Sequence, residues 1–150
     1  MGTQQLDTAE KEFERARKEL TEGYVLAALA HLEKALKVRD NPGWYSYLGF
    51  CIAKERGQVN RGQELCRTAI WHEPDNPAHY LYLAKVHLVS GNKEAALEAL
   101  RQGVLVGGSP EITNLFDVIG TRKPPVISRL SRDNPLNVWL GIVLSRLRLR

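Results

Sequence analysis

The tripeptide Asp-Asn-Pro occurs at 40–42, 75–77 and 133–135, and its first two copies stand 35 residues apart. A fixed period of that length marks a chain of stacked supersecondary units, none of which can bury its apolar face alone. The motif is reused for a physical reason: Asn at an N-cap accepts from the orphan amides of a first helical turn, and Pro is tolerated at the next position. Ser109-Pro110 opens another segment in the same manner. Helices are therefore predicted to start near 42, 77, 110 and 135.

Between these starts the apolar residues recur at three- and four-residue spacing, split by turn signals into pairs of amphipathic helices. Residues 77–110 carry Tyr80, Leu83, Ala84, His87 and Leu88 on a first helix, break at Ser90-Gly91-Asn92, and continue with Ala95, Ala96, Ala99, Leu100 and Val104. Residues 42–76 repeat the plan with Tyr45, Leu48, Gly49 and Ile52, a turn near Arg56-Gly57-Gln58, then Gly62, Cys66, Ala69 and Ile70. Residues 9–41 give it more weakly, with Ala16, a turn at Glu22-Gly23, then Ala28, Leu32, Ala35 and Leu36.

These three units, about residues 9–110, resemble tetratricopeptide repeats. That pattern is an aromatic, two residues, Leu-Gly, two residues, an aromatic, then Ala, three residues, an aromatic and a closing Pro. Tyr45, Leu48, Gly49 and Pro74 match it in the second unit, and Tyr80, Leu83, Ala84 and Ala96 in the third. Ala16, Gly49 and Ala84 fall where one helix must approach its partner, and Ala28, Gly62 and Ala96 do the same from the second helix, so larger side chains would force the pairs apart. The first unit departs with Glu12 in place of the aromatic and Asp40 in place of the closing Pro, and the second holds one extra residue before its turn. The expected fold is all-α, a right-handed helix-turn-helix array of three repeats with a capping helix and a C-terminal helix, in which residues 1–120 form the repeat domain and 121–150 an extension.

Residues 111–120 read as the cap, because a repeat array exposes an apolar face at its last unit, and Ile112, Leu115, Phe116 and Ile119 would cover it. Residues 121–125, with two prolines, read as a stiff extended linker. The predicted last helix, about 135–149, places Leu136, Trp139, Leu140, Val143 and Leu147 on one stripe, and Val138, Ile142 and Leu144 widen it nearly all round, as in a segment buried against something. The extension admits three readings: an extended cap, a segment that fills the groove in cis or in a neighbouring molecule by self-association, or an element lying on an anionic membrane surface.

Net charge is +4, but residues 1–120 carry 14 Lys/Arg against 16 Asp/Glu, whereas 121–150 carry seven against Asp133 alone. Basicity therefore belongs to the extension, and with arginines scattered among prolines and aliphatics and no reader motif, nucleic acid is not the expected partner. The longest purely apolar window, Val138 to Leu144, is seven residues, well short of the roughly 20 that span a bilayer. With two cysteines and no apolar stretch in the opening MGTQQLDTAEKEF, the expected compartment is a reducing cytoplasm.

Phosphate-loop, dinucleotide, nucleophile-elbow and His-Glu-x-x-His motifs do not occur, so no enzyme activity, cofactor or metal is expected. Cys51 and Cys66 fall on apolar helical faces as structural thiols. His31, His72, His79 and His87 lack zinc spacing and read as surface or packing residues. Glu10, Glu12, Glu14, Glu19 and Glu22, beside Lys11, Arg15, Arg17 and Lys18, read as a solvated face with pairs at three- and four-residue spacing.

The resemblance implies that the first helix of each unit lines a concave groove. The face turned away from the close-packed partner then carries Phe13, Arg17 and Leu20, next Ser46, Phe50, Ala53 and Lys54, and last Leu81, Lys85, Leu88 and Val89. Members that grip a partner's C-terminal carboxylates use a Lys/Asn clamp; the equivalent region here holds Phe13, Arg17, Tyr47, Phe50, Ala78 and Tyr82, which argues against a heat-shock-chaperone adaptor. The expected function is non-catalytic: Phe13, Phe50, Leu81 and Leu88 anchor a peptide or helix of another protein while Arg17, Lys54 and Lys85 select an acidic one, with no small-molecule substrate. The alternatives are a small secretion-type chaperone, which would share the three-repeat plan but not the basic extension, and a peripheral membrane or envelope-assembly factor anchored by residues 121–150.

Overall fold

The computed structural model describes residues 2–120, and within them it forms seven α-helices: α1 (Gly2–Glu22), α2 (Val25–Val38), α3 (Tyr45–Arg56), α4 (Val59–His72), α5 (Pro77–Val89), α6 (Lys93–Leu105) and α7 (Pro110–Gly120). No strand occurs among the described residues. The linker at 121–125, the helix at 135–149 and the docking residues Leu136, Trp139, Leu140, Val143 and Leu147 lie outside them.

The starts follow from capping. Asn76 Oδ1 accepts from the Ala78 amide at 3.1 Å, Asn92 Oδ1 from Ala95 at 3.1 Å, and Ser109 Oγ from Ile112 at 3.2 Å, each satisfying an orphan donor of a first turn. Asn41 does the same for Gly43 at 2.9 Å, but the predicted start at 42 opens as a 3-10 turn, Pro42–Trp44, and α3 proper begins at Tyr45. The second unit's extra residue lies later, within α3 between Gly49 and Gly57, because the 35-residue offset persists from Pro42/Pro77 to Gly49/Ala84 and falls to 34 at Gly57/Gly91. α1 also begins well before residue 9. Gly23, Gly57 and Gly91 break the three helix pairs with positive φ, a conformation that side chains with a Cβ rarely adopt.

α1 packs on α2, α3 on α4 and α5 on α6, and successive pairs stack through α2 on α3 and through α3 and α4 on α5. The small-residue seams explain how closely the partners approach. Ala16, Ala28, Ala84 and Ala96 are fully buried, and a Cβ added at Gly49 would lie 2.6 Å from the Gly62 carbonyl oxygen. One core cluster gathers α1 to α4 with Tyr82 and Val86 of α5; a second holds Leu81, Ala84, Ala96, Ala99, Leu100 and Ile112, with Leu83 packed against both. As expected of a cap, Ile112 is fully buried, and Leu115, Phe116 and Ile119 pack against that second cluster.

The acidic face of α1 is only partly solvated, contrary to expectation. Asp7–Lys11 and Glu14–Arg17 are exposed pairs at helical spacing. Glu12 and Glu19 instead turn toward α2, where their carboxylates flank the two ring nitrogens of His31 at 2.5 and 3.2 Å. This pairing fills the place where the repeat pattern has an aromatic side chain. His31 holds Glu12 through a hydrogen bond and keeps its carboxyl below the usual range, against the opposing effect of burial.

Candidate functional site

The first helices α1, α3 and α5 place their aromatic residues in one continuous strip. Phe13 stacks on Trp44 with ring centroids 4.7 Å apart and meets Tyr47 edge-on at 5.0 Å; Tyr47 then contacts Tyr82 at 4.6 Å, and Tyr82 contacts Phe50 at 5.8 Å. Helical spacing produces this: Tyr47 and Phe50, three residues apart on α3, share a face, as do Tyr82 and Lys85 on α5. Cations sit over the rings, with Arg17 Cζ 5.9 Å from the Phe13 centroid and Lys85 Nζ 5.5 and 5.1 Å from those of Phe50 and Tyr82. Such contacts contribute roughly 0.5–1 kcal/mol each at exposed sites. Burial pushes the Tyr47 and Tyr82 hydroxyls up and pulls the Lys85 ammonium down, the latter opposed by the negative charge of Glu111.

Two hollows open on the strip. The first, about 240 Å³, lies among Arg17 and Thr21 of α1, Tyr47 of α3, Ala78, Leu81 and Tyr82 of α5, and Glu111 at the start of α7. The second, about 220 Å³, lies among Phe50 and Lys54 of α3 and Lys85, Leu88 and Val89 of α5. Thus Arg17 and Leu81 line one hollow, and Phe50, Lys54, Lys85 and Leu88 line the other.

Phe13 and Leu20 line neither. They are 8% and 7% exposed, inside the first core cluster, because α1 turns that stripe into the seam with its neighbours. Phe13 acts from beneath, holding Trp44 and Tyr47 in place. Leu81, only 4% exposed, reaches its hollow from the second core cluster and offers little surface as an anchor. Ser46 and Ala53 are fully buried and leave the groove altogether. The sequence places Tyr47 and Tyr82 in the clamp-equivalent region but not among the partner-binding residues; they are 8% and 6% exposed and line the first hollow from the core side. They stand 35 residues apart, the same period as the Asp-Asn-Pro pair, and that correspondence was the available signal.

Behind the strip, Ser46 Oγ donates to His79 Nδ1 at 2.7 Å, and His79 Nε2–H donates to the Glu73 carboxylate at 2.7 Å. Hydroxyl, imidazole and carboxylate in series are the parts of a nucleophilic relay. Here Ser46 and His79 are both fully buried, so the chain of bonds ties α3 to α5 and to the loop before it instead of meeting a substrate. Burial drives His79 toward its neutral form, and one neutral tautomer satisfies both bonds. Cys51 and Cys66 are buried with pKa values pushed up to about 12 by desolvation, which leaves them without thiolate character. Among the described residues no cluster of three or more His, Cys, Asp or Glu is arranged to hold a metal ion, and no helix is long and apolar enough to cross a membrane.

No family model matches the chain. A 58-residue stretch is 41% identical to a mitochondrial pentatricopeptide repeat-containing protein of Arabidopsis thaliana, covering 39% of this chain and 9% of that protein's length. Among solved structures, the first tetratricopeptide domain of Spaghetti (RPAP3), bound to the HSP90 peptide SRMEEVD, is similar at 15% identity and a TM-score of 0.56 over 76% of this chain and 91% of that one. The type III secretion chaperone SycD of Yersinia enterocolitica, bound to a peptide of the translocator YopD, is similar at 17% identity and a TM-score of 0.54 over 76% and 88% of the two chains.

Proposed function

Since the chain has the fold of a tetratricopeptide repeat array, we propose that it is a non-catalytic interaction module that holds a peptide or helical segment of a partner protein across the face built by α1, α3 and α5. The observation that carries this reading is the pair of hollows along these helices, floored by the buried aromatic run of Phe13, Tyr47 and Tyr82 and edged by the half-buried Phe50 with Arg17, Lys54 and Lys85. Aromatic faces supply apolar contact area with few rotatable bonds, and cations around them favour a partner of opposite charge. By the resemblance, Phe13, Arg17, Tyr47, Phe50, Ala78 and Tyr82 occupy the region where the family's carboxylate clamp has its lysines and asparagines, which argues against that mode of binding.

The test is selection of 12-residue peptides from a random display library on the full chain, followed by fluorescence anisotropy with the best binder. Phe50→Asp, at a half-buried position on the edge of the first core cluster, and Arg17→Glu, at an exposed one, should each weaken binding about tenfold or more while leaving the helical circular dichroism intact. Failure to select any peptide, or equal affinity in both variants, refutes the proposal.

A further inference from the structure

The hollow between α3 and α5 has a composition of its own. Lys54 and Lys85 stand on its rim, Phe50, Leu88 and Val89 make up the rest of its lining, and no carboxylate is among them. Neither ammonium forms an ion pair among the described residues; the Lys85 amine rests on the rings of Phe50 and Tyr82 instead. Lys85 is thus drawn partly out of water with no carboxylate at ion-pair distance, only the longer-range charge of Glu111 acting on it, and desolvation disfavours its protonated form. Both penalties are relieved by an incoming anion. At about 220 Å³ the hollow is smaller than the usual small-molecule site and matches the scale of one or two side chains.

We propose that this hollow, distinct from the one between Arg17 and Glu111, seats an aspartate or glutamate of a peptide partner together with an adjacent aliphatic or aromatic residue. The carboxylate would accept from Lys54 and Lys85, and its apolar neighbour would cover Leu88, Val89 and the free edge of Phe50. The proposal rests on the reading of α1, α3 and α5 as a peptide-binding face, and adds which peptides that face selects. Charge alone would attract any polyanion. The apolar lining adds the second requirement, because a fully hydrated anion gains nothing from displacing water off Phe50 and Leu88.

The experiment uses the full chain and an immobilised array of 12-residue peptides in which every Asp and Glu position is paired with its Asn or Gln counterpart. Peptides bound by the wild type should carry an acidic residue next to Leu, Ile, Val, Met or Phe, and amide replacement of that residue should weaken binding about tenfold. Lys54→Gln plus Lys85→Met should erase the acid-over-amide preference while the apolar preference remains. Lys85→Arg, which keeps the charge, should retain both and controls for any loss of fold. Bound peptides with no acidic preference, or a preference that survives the double variant, overturn the assignment of this hollow and leave the peptide-binding face standing. An array that binds nothing overturns both, and binding of single-stranded oligonucleotides with equal avidity overturns the requirement for an apolar neighbour.

Discussion

Replacing Gly49 with Ala tests how the array achieves its close helix packing. In isolation the change should help, since Ala is about 1 kcal/mol better than Gly in a helix interior. A Cβ at that position, however, would lie 2.6 Å from the Gly62 carbonyl oxygen and 3.2 Å from Cys66 Sγ. An ordinary carbon–oxygen approach begins at about 3.3 Å, so α3 and α4 would have to part by about 0.7 Å, and a gap of that size forfeits a quarter to a half of each dispersion contact along the seam. Overpacking of this kind costs up to about 3 kcal/mol, and subtracting the propensity gain leaves a net loss of about 2 kcal/mol. For a chain of this size that corresponds to a melting temperature roughly 6 °C lower. Gly103 supplies the internal control. Its added Cβ would meet side-chain atoms alone, the tip of the buried Ile112 at 2.9 Å and the Tyr80 Cβ at 3.2 Å, so Gly103→Ala should cost clearly less than Gly49→Ala. Thermal and urea unfolding followed by circular dichroism at 222 nm measure both. A Gly49→Ala chain as stable as the wild type, or a Gly103→Ala chain equally damaged, would show that the backbone contact at Gly62 is not the constraint described.

Stability should also depend on pH through the buried histidines. Burial lowers the His79 pKa, and burial together with Arg67 lowers that of His87, so the unfolded chain takes up their protons first; their contribution is complete above about pH 6.5 and declines as pH falls below it. Glu12 and Glu73, with lowered pKa values, add a second decline below about 4.5. The urea midpoint should therefore be lower at pH 5.5 than at 7.5, with a shallower step in His79→Gln; a flat profile across that interval counts against the neutral, buried imidazole. Cys51 and Cys66 should be silent to Ellman's reagent at pH 8 in the folded chain and react together on denaturation. Rapid labelling of either thiol without unfolding would contradict their burial.

The repeat frame was legible because it is written in turn chemistry and small residues. Asn41, Asn76, Gly57, Gly91 and the Gly49–Gly62 pair announce local geometry that depends on few neighbours. The groove was less so. Helical spacing places Phe13, Leu20 and Leu81 on the same stripes as Arg17 and Lys85, but how far each stripe is swallowed by the adjacent repeat depends on the stagger between units, which no single helix encodes. Glu12 is a second case. Sequence spacing pairs it with Arg15, yet its main partner is His31, 19 positions away on the other helix of the same unit.

The division of the core has a consequence for how the molecule opens. Tyr82 and Val86 belong to the first cluster and Leu81 and Ala84 to the second, so α5 alone is shared, with Leu83 touching both. A linear array of this kind loosens in segments rather than all at once. α6 and α7 can exchange their amide hydrogens by releasing only the second cluster, whereas exposing α5 requires dismantling both. The helix that contributes Tyr82, Lys85 and Leu88 is therefore the last of the C-terminal half to yield. A ligand resting on it meets a surface that persists while the end of the array breathes.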